Sequence, residues 1–170
     1  MGSQLQPPLE PVPGIVVRPS TNEDVQYLAH HLRKDDLNEI TASTGRTPVM
    51  ALGYGLVNSE RCMTVEYRGK PAAMFGVVPS QTHNPRLGAV WMVGTDEIPM
   101  FTTTFLRQSK AWLDEVSRGY DVVGNFVDER NVSHVRWIKW MGFTVVARHD
   151  QYGAAKLPFL EFVKAVEENV

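Results

Sequence analysis

The chain has 170 residues, 43% of them hydrophobic, with charges of both signs and a net charge of -2. That length suffices for one domain that buries its core without metals or cross-links. The near-neutral balance excludes a nucleic-acid or polyanion footprint, and the single cysteine, Cys62, excludes an intramolecular disulfide.

No apolar run reaches the roughly 18 residues that a membrane span needs. The N-terminus lacks the charged and apolar parts of a signal peptide, so a soluble protein made in a cytoplasm is expected. Residues 1–13 carry Pro7, Pro8, Pro11 and Pro13, which favours an extended arm, either a loose tail or a docking arm for a partner. The domain proper is expected over 14–170.

Residues 15–18 read as a short strand. Thr21 with Asp24 three residues on is a capping-box pattern, and Val25, Leu28, Ala29 and Leu32 follow on one helix face. The stretch 33–40, RKDDLNEI, is dense in charge and reads as a solvated loop or the end of a second helix. His30, His31, Asp35 and Asp36 invite an acid/base or metal reading. Adjacent histidines on a helix diverge, however, and a surface role explains them better, so no metal site is expected.

Thr47-Pro48 is an N-cap and first-turn proline for a helix to about residue 57, loosened by Gly53 and Gly55. Residues 63–67 alternate as a strand, Arg68-Gly69 turns, and 71–78 returns as a strand apolar on both faces. A fourth strand covers 87–93. A long helix from Pro99 buries Phe101, Phe105, Trp112, Leu113 and Val116 and stops at Gly119. A buried strand follows at 121–128, then sixth and seventh strands at 144–147 and 155–162 around a turn at 149–153, with Pro158 favouring an edge.

Between the fifth and sixth strands lies NVSHVRWIKWMGF. Asn131 is placed to cap a short helix, Val132, Val135, Ile138 and Met141 form a stripe, and Gly142 stops it before Phe143. His134 faces away from that stripe, at a cleft border or in solvent. Trp137 and Trp140 make a second apolar patch, either a contact surface or a face buried by the C-terminal segment.

Asn131, Trp137, Gly142 and Phe143 fall in register with the late helix of the Gcn5-related N-acetyltransferase (GNAT) family, and the element order resembles that family over about 14–163. The resemblance implies one α/β (α+β) GNAT-like domain, a central, mostly antiparallel sheet of about seven strands with about four helices on its faces. It also implies an acetyl-CoA site between the fourth and fifth strands.

Family members hold the pyrophosphate of acetyl-CoA on backbone N–H groups of a glycine-rich loop before the long helix, where unpaired donors and the helix dipole favour an anion. Here the joint reads VGTDEIPMFTTTF. No glycine follows Gly94, Asp96 and Glu97 add negative charge, and Pro99 removes a donor. Ile138 stands where many members carry a tyrosine proposed to reprotonate the thiolate. The site is therefore expected to be degraded, with no cofactor bound.

If the chain is nonetheless an enzyme, the resemblance implies acetyl-CoA as cofactor and Met92, Val93, Gly94, Thr102, Thr103, Asn125 and Asn131 as candidate cofactor contacts. His134 and Tyr152 are then candidate acids. Asn125, inside a buried strand, needs partners for its amide, at the splay between the fourth and fifth strands or in a loop.

The segments HLRKDDLNEI, AAMFGVVP, VWMVGTD, NFVDERNVSHVRWIKWMGF and PFLEF together resemble a narrower group, the small GNAT-like late proteins of T7-like podoviruses related to internal virion protein A. That resemblance implies a non-catalytic role in virion assembly or in the internal core and DNA-ejection apparatus, with phage structural or core proteins as partners. The expected location is the host bacterial cytoplasm or the virion. An N-acetyltransferase acting on a host or phage amine is the alternative.

Overall fold

The computed structural model describes residues 14–98 and 103–167, so the proline arm, Pro99 and Thr102 lie outside the described residues. Seven strands form one sheet: β1 (Ile15–Pro19), β2 (Cys62–Tyr67), β3 (Lys70–Pro79), β4 (Leu87–Gly94), β5 (Val122–Asp128), β6 (Thr144–Tyr152) and β7 (Leu157–Ala165). Their spatial order is β1-β2-β3-β4-β5-β7-β6. Every neighbouring pair is antiparallel except β4 and β5.

Five helices are described: α1 (Asn22–Ala29), α2 (Lys34–Thr44), α3 (Pro48–Asn58), α4 (Thr103–Val116) and α5 (Val132–Trp140). One face of the sheet packs Phe105, Leu113 and Val116 of α4 and Ile138 of α5 against Phe75, Val77, Val123 and Val127. The other packs Val25 and Leu28 of α1 and Leu52 of α3 against Met74 and Val93. This two-sided cover is what the continuous apolar run of β3 requires. No helix among the described residues is long and apolar enough to cross a membrane.

The local signals act as their chemistry dictates. Thr21 and Asp24 form both halves of a capping box, Thr47 caps α3 ahead of Pro48, and Asn131 caps α5 by accepting from the His134 N–H. Gly142, at φ +94, ends α5 in the left-handed region that glycine adopts without penalty.

Four expectations need correction. Pro158 does not mark an edge, because β7 pairs with β5 on one side and β6 on the other. The charged stretch 33–40 is neither loop nor helix end but most of α2, a fifth helix, and Asp36 within it is 2% exposed. On α5 the buried face is His134, Trp137, Ile138 and Met141, while Val132 is exposed. Both stripes have helical spacing, and the one that wins brings the histidine to buried partners on α2. β6 runs on to Tyr152, beyond the expected end at 147, because its later residues still pair with β7 out to Leu157.

β4 and β5 pair only over Leu87–Ala89 and Val122–Gly124, then diverge. The opening between them positions everything that follows.

Candidate functional site

A cavity of about 460 Å³ fills the opening, lined by Phe75, Trp112, Val116, Ile138 and Phe143 among others. His134, Tyr152, Asn125, Met92 and Val93 all border it, so five of the expected site residues meet there. Thr103 begins α4 and is exposed, away from this lining.

Asn125 closes the vertex. Its Nδ2 donates to the Val90 carbonyl at 2.8 Å and its Oδ1 accepts from the Phe126 N–H at 2.9 Å. One side-chain amide thus replaces a backbone rung where the parallel ladder ends, which supplies the partners a buried amide needs. The backbone alternation then places the N–H and C=O of Val90, Met92 and Gly94 toward the opening, and those of Val93 toward β3. Val93 is therefore committed to the β3 ladder. Met92 presents its amide to the gap.

Asp36 closes the mouth. One oxygen accepts from the Gly94 N–H at 2.9 Å and from Arg33 Nε at 3.2 Å. The other accepts from Arg33 at 2.8 Å and from Asn131 Nδ2 at 3.2 Å. A single buried carboxylate therefore joins the end of β4 to the residue that caps α5. The Arg33 N–H takes the Gly94 carbonyl at 2.9 Å, so both polar groups of Gly94 are occupied by the start of α2.

The same network continues into Glu39. Its Oε2 accepts from Asn131 Nδ2 at 2.8 Å and lies 3.6 Å from His134 Nδ1. The ligand atoms of Asp36, Glu39 and His134 lie within 4.8 Å of one another, the spacing of a group that could share a cation. Asp36 already accepts four hydrogen bonds, from Arg33, Gly94 and Asn131, so its lone pairs are engaged, while Glu39 accepts one from Asn131. Sequence reading missed Glu39 altogether. Its only local signal was an acid three residues after Asp36, on the same helix face.

Burial on its own would lower the His134 pKa, but Glu39 and, behind it, Asp36 outweigh burial and the opposing Arg33, holding the imidazolium above its ordinary value. A raised folded pKa stabilises the fold fully below the ordinary histidine value near 6.5, and the contribution is lost as pH rises through the folded pKa. The expected result is that His134→Gln destabilises the chain more at pH 5.5 than at pH 8.5 in urea unfolding. An equal loss at both would contradict the ion pair.

Tyr152 stacks on Phe126 with ring centroids 4.4 Å apart, and burial followed by the nearby Glu161 pushes its phenol up. Trp137 is buried with its indole N–H unpaired among the described residues, and Trp140 is half exposed beneath Lys110, whose Nζ sits 3.8 Å from its ring centroid.

No protein-family model matches the sequence, and no curated protein matches it. Solved structures do. A putative acetyltransferase, yncA, from Salmonella typhimurium with its cofactor acetyl-CoA superposes with a TM-score of 0.68 over 92% of this chain and 96% of its own, at 14% identity. The chain has the GNAT fold.

A ribosomal-protein-alanine N-acetyltransferase from Brucella melitensis gives 0.66 over 88% and 99%, at 14% identity. The aminoglycoside acetyltransferase AAC(6')-Ib in complex with coenzyme A gives 0.64 over 89% and 94%, at 11%. At these identities the likeness is one of architecture, and a GNAT fold does not carry its activity with it.

Proposed function

We propose that this chain is a non-catalytic binding or assembly module on a GNAT scaffold, serving the assembly, internal core or DNA-ejection apparatus of a tailed phage particle. The observation that carries the non-catalytic part is Asp36 across the cleft mouth. A cofactor that runs out between β4 and β5 needs the backbone of Gly94 as a partner and an anion-tolerant exit beyond it. Asp36 and Arg33 hold that backbone.

The exit is acidic too. Asp36 and Glu39 stand at it, and Asp96 and Glu97 follow Gly94 in the chain. Arg33, and His134 where its imidazolium is protonated against Glu39, offset only part of that charge. Two like charges about 4 Å apart repel by about 4 kcal/mol at the effective dielectric of a protein surface. The phage assignment is supported by the sequence segments that resemble late podovirus proteins, and it places the chain in the host cytoplasm or the particle.

The test is quantitative mass spectrometry of purified particles and assembly intermediates from an infected host. Recovery at fixed stoichiometry with structural proteins is expected. Absence from every assembled species would overturn the assignment.

One observation favours a second reading, an acetyl-CoA-dependent N-acetyltransferase acting on a host or phage amine. The Met92 N–H faces the gap, where it could polarise an acyl carbonyl, and Tyr152 and His134 border the same cavity as candidate acids. Release of free thiol from acetyl-CoA in the presence of an amine, lost in the His134→Ala or Tyr152→Phe variant, would establish it.

A further inference from the structure

The helix α3 is apolar on both of its faces. Its inner side packs Val49, Leu52 and Leu56 with Met74 and Val93, and Gly55 lets the Trp91 ring come so close that a Cβ there would lie 2.6 Å from it. The outer side carries Met50, Gly53, Tyr54 and Val57, at spacings of three and four that place them in one stripe. Met50 is 59% exposed and Val57 80%. No charged residue falls between Arg46 and Glu60. A helix that is hydrophobic all round is expected to be covered all round, and the described residues leave this side open.

The stripe is complementary to itself. Met50 and Val57 lie equally far from the midpoint between Gly53 and Tyr54. A second α3 turned about a two-fold axis through that midpoint sets Met50 against Val57 and Gly53 against Tyr54, in both directions, as an isologous contact needs. Gly53 has no atom within 4 Å of the place its Cβ would take, which leaves a seat for the ring of the second copy. That ring is held in advance, with its hydroxyl accepting from Gln81 at 3.1 Å and Arg46 lying 5.9 Å from its centroid. The same axis brings Arg46, just before one helix, to Glu60, just after the other. Neither has an ion-pair partner among the described residues, and such pairs fix direction and register more than strength.

We propose that the outer face of α3 is a self-association surface, on which two copies of this chain pair α3 against α3, near-antiparallel, about Gly53 and Tyr54. The proposal holds whether or not the chain is catalytic.

The experiment is sedimentation velocity of the full chain over a wide concentration range. A monomer–dimer equilibrium with Kd of about 10–100 µM is expected, since a single helix pair is smaller than a standard interface. Gly53→Lys fills the seat and sets two like charges near the axis, so it should weaken the dimer about tenfold or more. Lysine is a better helix former than glycine and the site is open, so this variant should melt no lower than the natural chain. Arg46→Glu alone should weaken the dimer about threefold or more, and adding Glu60→Arg should restore it.

A monomer at every concentration, the result if residues 1–13 or a different protein cover this face, would overturn the proposal. So would a dimer that Gly53→Lys leaves intact, which would put the contact elsewhere. A dimer that the charge reversals do not move would overturn the antiparallel pairing and the proposal with it.

Discussion

Replacing Asp36 by alanine is expected to cost about 3–5 kcal/mol, the range seen when one partner of a buried charge pair is removed and the other is left uncompensated. Arg33 would lose the carboxylate that both its Nε and a terminal nitrogen address, and the buried Gly94 N–H and Asn131 amide would each lose an acceptor. For a chain of this size, roughly 2–4 °C of melting temperature goes with each kcal/mol, so the midpoint should fall by at least about 6 °C. Asp36→Asn should fall less, because its amide oxygen can still accept from Gly94. Thermal unfolding of both variants checks this. Equal melting of Asp36→Ala and the natural chain would mean that the cleft mouth is not held by this carboxylate.

The second large effect is expected at the other end of α2. The turn between β6 and β7 docks on the last carbonyls of that helix, with the Ala154 N–H bonded to Ser43 O at 3.2 Å and the Ala155 N–H to Ala42 O at 3.0 Å. Those carbonyls are orphans of the helix terminus, so the turn serves as its cap. Gly153 makes the contact possible. Its φ is +71, and a Cβ there would lie 2.7 Å from Ala42 O, Ser43 Cα and Ser43 O, all backbone atoms that cannot rotate away.

Gly153→Ala should therefore cost about 1–2 kcal/mol for the left-handed backbone and about 1–3 kcal/mol more for overpacking. Because α2 carries Asp36 and Glu39, amide exchange in α2 should accelerate more than in β2 and β3. Uniform acceleration would show that the turn stabilises the whole domain rather than the helix.

The sheet and most helices were legible because their signals are local. The capping box at Thr21 and Asp24, the turn at Arg68-Gly69 and the alternation of β2 lie within a few residues of the structure they specify. The same holds for Asn131 and Gly142 at the ends of α5.

The site was legible only in part. Asn125 was recognisable as a polar residue in an apolar strand, and its bond to Val90 lies at the splay where one reading placed it. Asp36 was not recognisable. Its partners Gly94 and Asn131 are 58 and 95 residues away, and nothing within 33–40 distinguishes a buried aspartate from its solvated neighbours Asp35 and Lys34. His134 does border the cavity, one of its two expected places, but the buried face of α5 was missed for the same reason. The stripe at Val132, Val135, Ile138 and Met141 has sound helical spacing, but Glu39, far off in sequence, rewards turning the histidine inward.

The measurement that bears most directly on the central claim is isothermal titration of the purified, folded chain with acetyl-CoA and with coenzyme A, repeated on Asp36→Asn. No heat of binding to the natural chain is expected at millimolar ligand, since the carboxylate and the Arg33 N–H occupy the Gly94 backbone that the cofactor would need. Micromolar binding to the natural chain would contradict the account and put the acetyltransferase reading first.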